Sequence, residues 1–413
     1  MAQIRALAQK LAASANDLSN ELESQGLAEY SFSDPNAPLD LPLLSAPGSI
    51  AQAELISAAE ELLRLAHGPL TYLNRYQDVA FEIGTIRALI RLGIPSMIPL
   101  HERATYPELS RKSGTHEPLL RRMIRFAVVC GFLTERDGRV GHSAESAIFV
   151  KDSRSADGAT WTLEVGFRSS GRLYEALQLD PTGEDGKKTA VSVEYHEGHH
   201  YPTIWEVHAA RPLLSRGFDN LMATQIAQPI FSLQHVLRSF DWKQITSLVD
   251  VGGGKGHAAR AIFDANAHIK CTVQDTNNVL GEKQTAGDVS FMTHDFFQPQ
   301  LLQADMFLFR LIIHDWSDED AQRIIAATIP GLRKGARLAI MDTIVPEPGT
   351  DSIFSEKAIR ALDLAMYGMF AGKERSLQET QKLVASVDGR LVFERCYRPE
   401  GSLMSFMTWV FHA

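Results

Sequence analysis

Cysteine is scarce in this chain. Cys130, Cys271 and Cys396 are the only three in 413 residues, and they lie far apart with no metal-ligand spacing. Neither a disulfide framework nor a thiolate metal centre is expected, and a reducing compartment, the cytoplasm, is the simplest setting. Positive charge is also short: 41 Lys and Arg against 50 Asp and Glu give a formal net charge of −9. A general polyanion binder usually carries the opposite balance. No stretch approaches the ~18–20 consecutive apolar residues of a membrane span. The opening MAQIRALAQKLAASANDL lacks the unbroken apolar core of a signal peptide. With 45% hydrophobic and 22% charged residues, the composition is that of a soluble globular protein. At roughly 100–200 residues per domain, the length allows two or three domains.

Residues 1–48 read as a helix and a linker. Ile4, Leu7, Leu11, Leu18 and Leu22 recur at spacings of three, four and seven. They predict a helix to about residue 25, packed on its own domain or serving as a dimer arm. SFSDPNAPLDLPLLSAPGS, residues 31–49, is rich in proline and serine and predicts an extended connection. Residues 49–215 are expected to be mostly helical. Within them, Tyr106–Ser113 and His116–Cys130 predict two short helices, the second turning Leu119, Leu120, Met123, Ile124 and Ala127 to a core. Phe132, Leu133 and Val140 around Asp137-Gly138 predict a hairpin. Helix, turn, helix, hairpin is a winged-helix outline. From His101 to Val150 it carries eight Lys or Arg against six Asp or Glu. That surplus is too thin to track phosphates, so a structural or dimerising role is expected rather than DNA binding. His196, His199 and His200 lie in the polar stretch 180–200 and read as a solvated loop, with no carboxylate or thiol completing a metal site.

From 216 to 413 the pattern changes. Apolar runs at 247–251, 268–275, 289–295, 305–311 and 337–342 alternate with helical stretches such as 318–332 and 353–370. The alternation predicts an α/β fold, a Rossmann-like doubly wound and mostly parallel sheet. The runs 391–397 and 403–411 follow too closely for a helical crossover, so they predict an antiparallel pair at one side. Asp250-Val-Gly-Gly-Gly-Lys-Gly256 ends the first strand and opens a helix. Gly252, Gly253, Gly254 and Gly256 permit positive φ and close backbone approach, and helix N-terminal N–H groups favour an anionic group. A nucleoside triphosphate loop is excluded, because Gly256 rather than Ser or Thr follows Lys255. A dinucleotide and S-adenosylmethionine both remain open. Asp275, ending the next strand, suits ribose hydroxyls in either. Asp295 and Phe296 then set an acceptor beside aromatic surface, suited to an adenine amino group, with a plain loop acid as the alternative. His314 follows at a strand end in HDWSD.

Taken in order, LVDVGGGKGH, VQD, HDFF, RLIIHDWSDED, AIMDTIVPE and AGKERS, spread over residues 247–376, resemble the class I S-adenosylmethionine-dependent O-methyltransferases of the plant caffeic acid and fungal polyketide type. The winged-helix outline resembles that family's dimerising domain. The resemblance implies S-adenosylmethionine as cofactor, a homodimer, and a phenolic or enolic small-molecule acceptor, with no nucleic acid, membrane or metal partner. It makes His314 the general base, flanked by Asp342 and Glu374. Plant members usually carry Glu at the first of these positions, Thr at that of Lys255, and often Lys at that of Arg310, which is expected near the cofactor. Arg and Lys differ in reach and donor geometry. Asp315, Met366, Met369, Phe370 and His142 are the expected acceptor contacts, each with a structural alternative as loop acid, core side chain or satisfied histidine. Some fungal chains of this fold keep S-adenosylmethionine yet catalyse dehydration or pericyclic ring formation. The intact His314, Asp342 and Glu374 favour methyl transfer.

Overall fold

The structure, a computed structural model, describes residues 2–27, 31–39, 42–280, 285–286 and 289–412. Two units interleave along the chain. One comprises Met1–Arg172 with Ile204–Gln228, the other Leu173–Thr203 with Pro229–Ala413. This division differs from a continuous boundary at 215, and glycines explain why. The helices Ser153–Trp161 and Pro212–Ala227 approach closely at Gly158 and Gly217. A Cβ at Gly158 would stand 3.0 Å from Leu221 Cα, and one at Gly217 would stand 3.0 Å from Trp161 Cβ. Asp157 then accepts from Arg216 and Asn220 at 3.1 and 3.0 Å. Segment 173–203 packs in the second unit instead, where a Cβ at Gly368 would meet Leu173 and Ala190.

In the first unit the helix Ala2–Ser24 packs along Ala46–Arg91. Ser14 Oγ donates to Glu54 at 3.4 Å, and Glu21 accepts from Ser45 N at 2.9 Å. The amino-terminal helix therefore lies on its own unit, with Leu22 buried and Ile4 exposed. Of the expected linker, Asp40 and Leu41 lie outside the described residues. The helix Ala46–Arg91 breaks at Gly68, φ +69. Pro69 has no N–H to donate and disfavours helical geometry in the residue before it.

The expected helix–helix–hairpin order is present as Tyr106–Ser113, Glu117–Val129, β2 (Leu133–Arg136) and β3 (Arg139–His142), with β1 (Ala104–Thr105) on the other side of β3. Arg136 pairs with Arg139. That leaves Asp137-Gly138 as a two-residue turn, with φ +52 and +69, the primed geometry that suits the strands' twist. Leu120, Ile124 and Ala127 are buried as expected, but Leu119 is 48% exposed. The core takes the 120–124–127 stripe, and Leu119 lies about 100° round the helix from Leu120.

The second unit is built on one sheet. Its strands are β4 (Ser247–Val251), β5 (Lys270–Asp275), β6 (Thr285–Ala286), β7 (Val289–Thr293), β8 (Ala304–Arg310), β9 (Leu332–Thr343), β10 (Leu391–Tyr397) and β11 (Met404–Phe411). They lie in the order β10-β11-β9-β8-β4-β5-β7-β6. β9, β8, β4, β5 and β7 run parallel; β11 is antiparallel to β9, and β10 to β11. Leu248, Met306, Leu308 and Met341 enter one core, and Val249, Phe307, Phe309 and Ile340 the other. Alternating side chains thus fill both faces, as in a doubly wound sheet covered on each side. The carboxyl ends of β4, β5, β7, β8 and β9 share one edge, the edge at which such sheets bind ligands.

Candidate active site

After β4 the chain turns through Gly252, Gly254 and Gly256, with φ +70, +58 and +77, values that favour glycine. Gly252 N and Gly253 N donate to Gln274 O at 2.8 and 3.2 Å, and Gly254 N donates to Asp275 Oδ2 at 2.9 Å. A Cβ at Gly253 would stand 2.6 Å from the Asp250 carboxyl, and one at Gly252 would stand 2.6 Å from Ile312 Cδ1. At Gly254 it would meet nothing within 4 Å. Two glycines therefore make room for neighbouring side chains, and the third presents bare backbone to open space ahead of the helix His257–Ala265. Asp250 accepts from Ala259 N at 3.3 Å. Burial pushes its carboxyl up to about 6 against the pull of the Arg310 cation.

Asp295 is exposed, and its Oδ1 accepts from Phe297 N at 3.0 Å. Phe296 and Phe297 meet Trp316 edge-on, with ring centroids 5.8 and 4.9 Å apart. Arg310 donates to Phe231 O at 3.0 Å, and burial lowers its pKa while Asp250 and Asp342 raise it. The open backbone at Gly254, the Asp275 and Asp295 carboxylates and the Phe296 ring supply room for close approach, acceptors for hydroxyls and an amine, and a flat apolar wall. That set fits the ribose and adenine of S-adenosylmethionine.

β8 is followed by Leu311 at φ +56 and the tight turn Ile313–Asp315. His314, on that turn, is 7% exposed. Its Nδ1 lies 2.5 Å from Glu374 Oε1, and its Nε2 lies 3.5 Å from Asp315 Oδ1. Asp342, near the end of β9, is buried like Glu374, while Asp315 is partly exposed. Burial opposes charge on the imidazole, but Glu374, Asp315 and Asp342 outweigh it and lift His314 to about 10. Burial raises the acids as well, Asp315 to about 7 and Asp342 to about 6, although the histidine pulls each down.

The turn is held from outside by residues that sequence reasoning did not single out. Gly372 lies against it so closely that a Cβ would stand within van der Waals overlap of His314 O, at 2.2 Å. Lys373 N donates to His314 O at 2.9 Å. The buried Arg375 donates to Ile313 O at 3.1 Å, to Trp316 O at 2.8 Å and to Asp318 Oδ1 at 2.9 Å. Its guanidinium therefore fixes the backbone on both sides of His314. The signal was the unlike charge of KER in AGKERS and of DED in HDWSDED. No spacing rule, however, joins segments so far apart in the chain.

Met366 is buried in the helix Ile353–Phe370, with Met369 and Phe370 partly exposed at its end, just before the loop that carries Glu374. His142 belongs to the first unit. Its Nδ1 meets Ser146 Oγ at 3.0 Å and its Nε2 meets Ile98 O at 2.9 Å. Both ring nitrogens are committed there, the geometry of a structural histidine.

A family profile described as an O-methyltransferase domain matches residues 180–389. The O-methyltransferase FrzF of a Cladobotryum species is 38% identical over 427 aligned residues, covering 100% of both chains. The 6-hydroxytryprostatin B O-methyltransferase of Neosartorya fischeri is 40% identical over 89% of this chain and 91% of its own. Among solved structures, the crystal structure of OxaC has a TM-score of 0.76 at 18% identity, covering 98% of this chain and 100% of its own. A structure described as a pericyclic reaction enzyme has a TM-score of 0.73 at 19% identity, with the same coverage. At those identities the likeness is one of fold. The profile and the full-length relatives go further: this chain is an O-methyltransferase, a member of the class I S-adenosylmethionine-dependent family of the fungal polyketide type.

Proposed function

We propose that the enzyme methylates the hydroxyl of a phenolic or enolic small molecule, a secondary metabolite, with S-adenosylmethionine as donor and His314 as general base. The observation that carries this is the 2.5 Å contact between His314 Nδ1 and Glu374. It ties one ring nitrogen to a buried acid and leaves Nε2 as the atom that can take a proton. A phenol ionises with a pKa of ~10, so roughly one in a thousand is anionic at pH 7. Removing the proton as oxygen attacks avoids that penalty.

When bound, the cofactor supplies an activated methyl on a cationic sulfur, and that charge disfavours a second cation on the imidazole. The glycine loop Gly252–Gly256, Asp275, Asp295 and Phe296 would hold it, with Arg310 behind them. Asp342 and Glu374 stabilise the imidazolium once the proton arrives. Asp315, beside Nε2, and Met366, Met369 and Phe370 are the proposed acceptor contacts of this unit. Leu70, Leu73, Tyr76, Phe81 and Val129 stand exposed on the first unit, an apolar surface that a second copy of the chain would cover. We therefore infer a homodimer. Among the described residues no helix is long and apolar enough to cross a membrane. The reduced cysteines suit the cytoplasm.

The test is a panel of phenolic and enolic metabolites, read for a 14-dalton gain and for release of S-adenosylhomocysteine. His314→Ala should lose roughly 10²–10⁴-fold in transfer with cofactor affinity retained. Near-wild-type turnover in that variant removes His314 from the reaction. A ring-closed or dehydrated product without S-adenosylhomocysteine favours the alternative suggested by the fold likeness, in which the bound cofactor is only a fixed charge.

A further inference from the structure

His314, Asp342 and Glu374 come from three separate segments: the turn after β8, the end of β9, and the loop ahead of the helix Leu377–Val387. Their mutual placement needs a fastening that reaches all three, and Arg375 makes those contacts. It follows Glu374 in the chain. Its backbone bridges Ile344 in parallel register, and its O accepts from Val345 N at 3.1 Å. Arg375 is therefore pinned where the chain leaves β9, just past Asp342. Its side chain, 4% exposed, reaches the third segment. Nη1 donates to Ile313 O at 3.1 Å and Nη2 to Trp316 O at 2.8 Å, on either side of His314. Nε donates to Asp318 Oδ1 at 2.9 Å.

A buried cation is tolerated only when paired and hydrogen-bonded, and each nitrogen of this one has a partner. Its closest counter-ion is Asp318, a half-exposed acid at the start of the helix Asp318–Thr328 that also pairs with Lys373 Nζ at 2.8 Å. Asp318 thus sets the plane of the guanidinium from outside the acids that face the imidazole. Arginine presents its donors in a rigid planar fork, whereas lysine offers three from a single point. Acceptors lying in three directions, as Ile313 O, Trp316 O and Asp318 do here, suit the fork.

We propose that Arg375 is a positioning residue for methyl transfer: its fork, oriented by Asp318, sets where His314 stands relative to Asp342 and Glu374. This rests on the reading of His314 as general base and adds what holds the base to its acids. A misplacement of about 1 Å at a reacting group can cost roughly 10²-fold in rate. The glycine loop and Asp275 are joined to each other across the ends of β4 and β5 instead, so the cofactor site does not share this fastening.

Arg375→Lys keeps the charge, including its pull on Asp342, and loses the fork. Its kcat should fall roughly 10²-fold, while the dissociation constant for S-adenosylmethionine, read by calorimetry, stays close to that of wild type. A wild-type kcat would show that charge alone suffices, and a cofactor affinity that falls in step with kcat would show that the contacts serve the cofactor; either overturns the inference. Guanidinium added to Arg375→Ala below denaturing concentrations should restore activity where methylammonium does not. Equal recovery with both, or with neither, overturns the role of the fork. Asp318→Ala alters a half-exposed position that the fold does not depend on. It should lower kcat about tenfold with cofactor affinity retained, and an unchanged kcat removes Asp318 from the proposal. His314→Ala, assayed in parallel, separates the two levels. If it abolishes transfer while Arg375→Lys turns over as wild type, only this inference falls; if it retains transfer, the base assignment falls first.

Discussion

His142 and His314 are buried to nearly the same depth and respond in opposite ways. His142 meets a backbone carbonyl and a serine hydroxyl, and burial pushes its pKa down. His208, which accepts from Trp161 Nε1 at 3.0 Å, is pushed down to about 4 by the same cause. His314 suffers the same loss of solvent but faces three carboxylates, and these carry it up to about 10. Desolvation disfavours the charged ring wherever it acts, and only opposite charge close by reverses it. A histidine among neutral partners is kept uncharged by burial; one among acids is held in its charged form.

The contrast breaks most sharply at Glu374. Glu374→Gln keeps the shape and an acceptor oxygen but removes the nearest charge. His314 should then titrate closer to the ordinary value of ~6.5, and methyl transfer should fall roughly 10²-fold or more. An NMR titration of the His314 ring with steady-state kinetics checks both. A ring still titrating far above 7 would show that the remaining acids suffice.

The two kinds of histidine also pull stability in opposite directions with pH. For His314 the folded pKa of about 10 lies above the ordinary ~6.5. Its contribution is full below ~6.5 and is lost as pH rises through 10. For His208 the folded value of about 4 lies below the ordinary one, so its contribution is full above ~6.5 and is lost as pH falls toward 4. The Tm advantage of wild type over His314→Gln should therefore shrink from pH 6.5 to 10, and a widening gap would contradict the shift. The smallest effect belongs to Ser146→Ala, which takes a hydroxyl partner from His142. It should cost about 1–2 kcal/mol in urea unfolding and leave the pH profile of catalysis unchanged. A moved profile would return His142 to the acceptor site.

Patterns confined to neighbouring residues were legible in the sequence. The strands at 247–251 and 391–397 and the helix at 353–370 fall where period two and period 3.6 put them. β9 begins at Leu332, five residues before the apolar run at 337–342, because its exposed start, Arg333 to Gly335, carries no apolar signal. The helix after His314 stops at Thr328 rather than 332, just ahead of Pro330. His314, Asp342 and Glu374 stood out as motif residues, and the structure gathers them. Gly372 and Arg375 did not, because their partners are backbone carbonyls of a distant turn. The trade of segments 173–203 and 204–228 was equally hidden, since it depends on two missing side chains at Gly158 and Gly217.

That trade bears on synthesis at the ribosome. The helix Ser153–Trp161 waits for Pro212–Ala227 to emerge before its glycine contact can form, while Leu173 and Ala190 wait far longer for Gly368. Neither unit is finished when the chain first reaches its partner's residues, so vectorial folding must carry two open halves at once.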